Sequence, residues 1–442
     1  MRDESTRRTA DGATVICCYV LVLVLVPARL IISKIPMTLA PITVLAVGIA
    51  VLWGCAHLVR TLGMSKGRTA VRSALLLLFA SQLVTYGIAS RRYLPPDELN
   101  LTDSGMLRVV GVIAVAVFAC DAIGSRERLD RVLRFLVVVV AVMAGTGVLQ
   151  FALGLDVTRY LNLPGLTAQT GYDAIQSRSL FRRPSGTTNH PIEFGLICAI
   201  VTPLAGHHVF LARETGRRAG GWWLCLALIA GGALVSVSRT AVLGLVVGAV
   251  VLIVALPGRR KVHVLGAGVL FGGGAGLMVP GLLGTFYELF ANFGEDPSIT
   301  SRTKDYDQAW RQVALHPWFG RGFGTYLPGK YQLLDNQYLL TLIENGWVGV
   351  IAMIAVFLAA VWATVLVRVR AKDLQTRGLA AALMAGVVVG AFGAFTFDLL
   401  SFGVATGLVF VVVGACGALA RHPRPPEPAT GSTTEKTAVA VG

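Results

Sequence analysis

Four short stretches hold residues whose types and spacing could do chemistry. Phe181-Arg182-Arg183-Pro184-Ser185-Gly186-Thr187-Thr188-Asn189-His190-Pro191 gathers two arginines, three hydroxyls, an amide and an imidazole just before an apolar run that opens Ile192-Glu193-Phe194-Gly195. A guanidinium is a planar fork that binds phosphate bidentately and keeps its charge in any surroundings. Ser236-Val237-Ser238-Arg239-Thr240 interrupts an otherwise apolar stretch, and Arg302 lies in a long polar segment further on. Finally Asp335-Asn336 stands where a polar loop returns to apolar sequence, with Gly346 and Gly349 beyond it. An ionisable group at such a boundary is costly to desolvate and marks a candidate site. The combination reads as cations for an anionic group, set against a proton acceptor that is either Asp335 or His190.

Each feature also has an ordinary explanation. Arg182 and Arg183 suit lipid headgroups, Arg239 suits an interfacial snorkelling side chain, and Arg302 suits a surface ion pair. Asp335 and Asn336 are favoured helix caps, and a lone His before Pro is commonly a hydrogen-bonded structural residue. Asp305 and Asp307 resemble a metal pair in spacing, but on a helix they point in different directions. Gly320, Gly322 and Gly324 lack the strand and helix that frame a phosphate loop, and read as turn glycines.

The elements that must position these residues follow from composition. Of 442 residues, 55% are hydrophobic and 14% charged, with a mean hydropathy of +0.68, against about 25% charged in a soluble domain. Apolar runs near 14–32, 38–59, 73–90, 105–123, 132–153, 191–212, 221–237, 240–257, 262–283, 345–367, 378–397 and 400–420 are suited to crossing a hydrocarbon core of about 30 Å. The fold class expected is therefore all-α: a polytopic transmembrane helical bundle of about twelve spans. Residues 1–420 form a single transmembrane domain, with a first long outer loop at 154–190, a second, catalytic one at 284–344, and a disordered cytoplasmic tail at 421–442. Residues 221–257 would make one helix of roughly 55 Å, nearly twice the membrane core, so the chain must turn back at 236–240.

Lys and Arg set the orientation, because positive loops stay cytoplasmic. Arg2, Arg7 and Arg8, then clusters such as Arg126/Arg128/Arg131/Arg134, Arg213/Arg217/Arg218 and Arg259/Arg260/Lys261, place both termini inside and the two long loops outside. The net charge of +15 is mostly this orientation signal, and nucleic-acid binding is not read from it. The first span is expected to be retained rather than cleaved as a signal peptide. All seven cysteines lie in apolar spans, with no disulfide framework or metal spacing. Gly268, Gly272 and Gly276 form one helix face, for which close helix packing is the expected use. In the second loop a short helix is expected from Ser301 to about Leu315, with Tyr306, Trp310 and Val313 on one face.

Together the motifs over about residues 175–350 resemble the O-antigen ligase and O-antigen polymerase superfamily of membrane glycosyltransferases, whose fold is GT-C-like. Arg183-Pro-Ser-Gly186-Thr-Thr-Asn-His190-Pro191 is similar to its Arg-x-x-Gly-Thr stretch, and Ser238-Arg239 to its Ser-Arg-Gly turn, with Thr240 replacing the glycine. Arg302, Trp310 and Pro317-Trp318-Phe319-Gly320-Arg321-Gly322 resemble the long-loop pattern. Asp335-Asn336, nine residues and Gly346-x-x-Gly349 resemble a His-Asn, nine residues, Gly-x-x-Gly pattern. Ligases carry His at the position of Asp335, whereas polymerase-like members more often carry Asp.

The resemblance implies transfer of a glycan from a polyprenyl-pyrophosphate-linked oligosaccharide to a sugar hydroxyl of an acceptor glycan or glycolipid, at the outer face of the cytoplasmic (inner) membrane. Arg183, Arg239 and Arg302, with Arg182, would neutralise the pyrophosphate. Asp335, beside Asn336, would be the general base, with His190 its rival. A single displacement would invert the anomeric centre, and arginine charge would make a metal unnecessary. No cofactor is expected. The partners are the lipid-linked donor, the acceptor and the bilayer, with a chain-length regulator or flippase left open. A polymerase is favoured over a ligase, and a lipid-linked glycan flippase or other transporter is the non-enzyme alternative.

Overall fold

The computed structural model describes residues 11–33, 39–58, 69–161, 163–169, 175–178, 181–278, 284, 306, 309–327, 329–331 and 334–422. Arg302, Ser301, Asp305, Asp307 and the tail from 423 lie outside the described residues. Among the described residues the apolar runs become twelve helices: α1 (Gly12–Leu25), α2 (Pro41–Leu58), α3 (Ala70–Ala89), α4 (Pro96–Ala122), α5 (Arg126–Leu153), α6 (Pro191–Glu214), α7 (Gly220–Val235), α8 (Arg239–Ala255), α9 (Gly258–Met278), α10 (Gln337–Arg370), α11 (Leu374–Thr396) and α12 (Gly403–Arg421). Eight are long and apolar enough to cross a membrane, and α1, α7 and α8 are shorter apolar helices. The architecture is an all-α polytopic bundle.

Short polar caps divide the hydrophobic runs. Asp11, Thr69, Ser125 and Asp373 each accept a backbone N–H of the first turn of α1, α3, α5 and α11, where such a cap contributes about 1 kcal/mol. The even-numbered helices start at the opposite end, with Pro96 and Pro191 in the first turns of α4 and α6. The turn expected in 221–257 falls at Ser236–Ser238, between α7 and α8. Its tightness shows at Val237, whose φ of +46° is rare for a β-branched residue. The centre of the bundle is α12, with 89% of its apolar window buried, flanked by α6, α4 and α11, whereas α2 is peripheral at 22%.

Two boundaries differ from the sequence reading. The first helix stops at Leu25, before Pro27, and Leu30–Ile32 forms strand β1, antiparallel to β2 (Leu166–Ala168) in the first long loop. That loop continues as a hairpin of β3 (Ile175–Arg178) and β4 (Phe181–Pro184), in which Ser177 faces Arg182 and Gln176 faces Arg183. The tenth helix begins at Gln337 rather than near 345, and is broken inside by Gly346 at φ 64°, ψ −167°.

The break exposes backbone groups that a membrane interior would leave unpaired. The segment after His316 satisfies them: the amides of Arg321 and Gly322 donate to the carbonyls of Ile343 and Glu344 at 3.0 and 2.9 Å, while those of Trp347 and Val348 donate to Pro317 and Trp318. Gly320, at φ 67°, lies so close to the Glu344 backbone that a Cβ would collide with it. Glu344 in turn accepts the Tyr326 amide at 3.2 Å. Arg321 and Tyr331 both reach the buried Glu98 carboxylate at the start of α4, at 3.3 and 3.2 Å. The second loop is therefore tied, through residues 317–322, Tyr326 and Tyr331, to the break in α10 and the start of α4.

Gly346→Ala is expected to cost about 2 kcal/mol or more, since its backbone conformation is strained for any L side chain and the added methyl meets the Trp318 carbonyl. Thermal unfolding of the detergent-solubilised protein measures it, and an unchanged transition would contradict this account of the break.

Candidate active site

The Arg183–Pro191 stretch is built as a rigid ledge. The carboxamide of Gln150, fully buried near the end of α5, donates to the Gly186 carbonyl at 3.0 Å and accepts the Gly186 amide at 2.8 Å. The Thr187 hydroxyl donates to the Val24 carbonyl, and the Thr187 carbonyl accepts the Ala28 amide at 2.8 Å. Gly186 takes φ +60°, with Phe194 directly against it. These bonds tie the loop to α5, to α1 and to the segment that follows α1.

Arg183 and Arg182 part company here. Successive residues of a strand point to opposite faces. Arg183 is buried, its Nε donating to the Ser236 carbonyl at 3.3 Å, which docks β4 on the turn that delivers Arg239 to the start of α8. Arg182 is exposed, and its guanidinium lies over Gly154 at the end of α5. The structure brings together Arg183 and the Arg239 turn, and leaves Arg182 on the other face.

His190 is the N-cap of α6. Its Nδ1 accepts the Ile192 amide at 3.2 Å, which places the proton of the neutral ring on Nε2. Burial pushes the imidazole down to about 4, Arg183 adding to the effect and Asp335 opposing it. His190 thus stands within electrostatic reach of both a site arginine and the site carboxylate.

Asn336, not Asp335, is the N-cap of α10: its Oδ1 accepts the amides of Tyr338 and Leu339 at 3.0 and 3.2 Å. The half-buried Asp335 stands one residue outside that cap. The next side chain, Gln337, accepts the Leu400 amide at 2.7 Å and donates to the Thr341 hydroxyl at 3.0 Å. It draws the turn Leu399–Ser401, between α11 and α12, against the start of α10.

That turn carries a residue the sequence reading missed. Burial pushes the Asp398 carboxyl up to about 6, against a hydrogen bond from Ser401, and the negative charge of Asp335 raises it further. A buried carboxyl whose hold on its proton is strengthened by a neighbouring negative charge is a common feature of sites that do acid and base work. Nothing local marks Asp398, because it follows Phe397 in a stretch that reads as a simple loop.

Glu193 was missed as well. It is fully buried; Oε1 accepts the amides of Val404 and Ala405 in the first turn of α12 at 2.9 and 3.0 Å, and Oε2 accepts the Asn189 amide at 3.2 Å. The signal was present, since Glu at the third helical position after a capping residue is capping-box spacing. The N-termini of α6, α8, α10 and α12 therefore lie at the end that holds Arg183, Arg239, His190 and Asp335, and the positive ends of their dipoles favour an anion there.

Residues 224–354 match the family model for O-antigen ligase. The matched stretch includes Arg239, Arg302, Asp335, Asn336 and the Gly346 break; Arg183, His190, Glu193 and Asp398 lie outside it. No curated protein matches the chain. The O-antigen ligase match supports a membrane glycosyltransferase of the ligase or polymerase type, working on lipid-linked glycan and acceptor substrates in the membrane.

Asp398→Asn isolates the paired carboxyl. A folded-state value raised above the unfolded one contributes stability at low pH that is lost as pH rises from about 4 through about 6. The stability difference between Asp398→Asn and the parent should therefore move in favour of the variant across that window, whereas a pH-independent difference would contradict the burial of an ionising Asp398. Thermal transitions recorded from pH 4 to 8 provide the measurement.

Proposed function

We propose that this protein is an inverting, metal-independent glycosyltransferase of the O-antigen ligase and polymerase type, acting at the outer face of the cytoplasmic membrane on a polyprenyl-pyrophosphate-linked oligosaccharide. The observation that carries the reading is the meeting of Arg183, the Arg239 turn, His190 and Asp335 at one end of the bundle, beside the stretch that matches O-antigen ligase. Arg183 and Arg239, with Arg302 from the second loop, bind the pyrophosphate, and helix N-termini add to that field. The basic residues on the opposite end support an extracytoplasmic site with both termini inside.

Asp335 accepts the proton of the acceptor hydroxyl as its oxygen bonds to the anomeric carbon. The bond from that carbon to the pyrophosphate oxygen breaks, and polyprenyl pyrophosphate leaves with the electron pair, held by the arginines. His190 acts as a positioning residue and hydrogen-bond donor through Nε2, because its Nδ1 lone pair is engaged by the helix cap. Asn336 holds the start of α10, and so the direction of Asp335. Asp398 sets a second carboxyl within electrostatic reach of Asp335.

Asp at position 335 favours polymerisation, with both substrates lipid-linked. Transfer to a terminal lipid or envelope acceptor is the alternative, favoured by the ligase description of the matched family. Purified protein given donor and acceptor should form a ladder of products in the first case and a single adduct in the second. Release of polyprenyl pyrophosphate should require acceptor and fall about 10²- to 10⁴-fold in Asp335→Asn. Full turnover in that variant would remove Asp335 as the base.

A further inference from the structure

A cavity of about 590 Å³ opens on the flank of the bundle between α6, α7, α8 and α9. Its wall on α8 runs from Val242 to Leu256, roughly 21 Å of helix at about 1.5 Å per residue, and is apolar along that length. The glycine face of α9 belongs to the opposite wall. Gly268 and Gly272 have nothing within 4 Å of the place a Cβ would take, so close packing, the use expected from sequence, is not what these glycines serve here. They leave room instead.

Among the described residues that line the cavity, every ionisable group sits at one end: His207, Arg213, Arg260 and His263. This is the end away from Asp335, where α6 finishes and α9 begins. Arg260 is fixed in place by an ion pair to Glu214, by the Leu374 carbonyl at 3.4 Å and by the Phe210 ring 5.6 Å away, and the same ring meets His263 edge-on at 5.9 Å. Arg213 is exposed beside them. Basic residues at a helix end serve topology on their own, but topology needs no cavity of membrane depth between them and the opposite surface.

A long apolar channel with a cationic mouth matches an amphiphile that has one anionic head and a long chain. We propose that the cavity binds an anionic phospholipid of the leaflet at the Arg213 end, its acyl chain along the glycine face of α9 and its phosphate at Arg213 and His263. On the orientation proposed above, that is the cytoplasmic leaflet. The tail of the polyprenyl donor fits less well, because its pyrophosphate belongs at the opposite end of the bundle. A second copy of the chain would set one cationic mouth against another.

The test uses the full-length protein, stripped of lipid in detergent and titrated separately with phosphatidylglycerol, phosphatidylcholine and polyprenyl phosphate under native mass spectrometry. Phosphatidylglycerol should bind about fivefold or more tighter than phosphatidylcholine, the equivalent of about 1 kcal/mol for one basic group near an anionic headgroup. Arg213→Gln should erase most of that preference, and Gly268→Leu, which fills the channel, should remove the bound lipid. Equal binding of the two phospholipids, or unchanged phosphatidylglycerol binding in both variants, would overturn the proposal. So would polyprenyl phosphate being the lipid that Gly268→Leu displaces. Because Arg213 is on the surface, its variant remains informative if the glycine substitution prevents folding, and no outcome depends on transferase activity.

Discussion

Glu193 carries a carboxylate into the protein interior at the first turn of α6 and turns both of its oxygens to backbone: two amides of α12 on one oxygen and the amide of Asn189 on the other. A buried charge of this kind is tolerated only when such donors surround it, and removing one partner leaves the rest uncompensated. The bond to Asn189 fixes the residue next to His190, and the bonds to α12 fix the helix that packs at the core. The ledge bearing Arg183, the cap made by His190 and the turn bearing Asp398 thus share one anchor. Arg183 and Asp335, which come from segments more than a hundred residues apart, are brought to one end of the bundle by helices that share this anchor.

Around that anchor the bundle solves one problem repeatedly. Every interruption of a membrane helix must find hydrogen-bond partners inside the protein. At Gly346 they come from the loop after His316, at Gly186 from Gln150, and at Leu400 from Gln337. The partners are long-range in each case, and at Gly186 and Leu400 a site residue lies within a few positions. Irregular backbone, polar side chains and site residues coincide because the same desolvation cost drives all three to one end of the molecule.

The same cost explains what could be read from the sequence. The twelve helices were legible because an apolar run of membrane length has few alternatives, and the turn at 236–238 because one helix of that length would overshoot the membrane. Arg183, Arg239, His190 and Asp335 were legible as candidates because charge at such a boundary is conspicuous. Strands β1 and β2 were not, being three residues long and without periodicity. Asp335 and Asn336 are both good caps, and only the amides of Tyr338 and Leu339 decide between them. Glu193 looked like a charge near a helix end, and nothing in its neighbours announces that it reaches α12. The glycines of α9 suit close packing or open space equally well until the neighbouring helices are in place.

The alternation along β4 has a consequence for how the chain can vary. Arg182 and Arg183 differ by one position yet face different surroundings, and the stretch from Arg183 to His190 is pinned by bonds to α1, α5 and the α7–α8 turn. Insertion or deletion of a single residue within that stretch would exchange the two arginines and detach the loop from its supports together. The residue count between Arg183 and His190 is therefore fixed by bonds to three separate parts of the bundle.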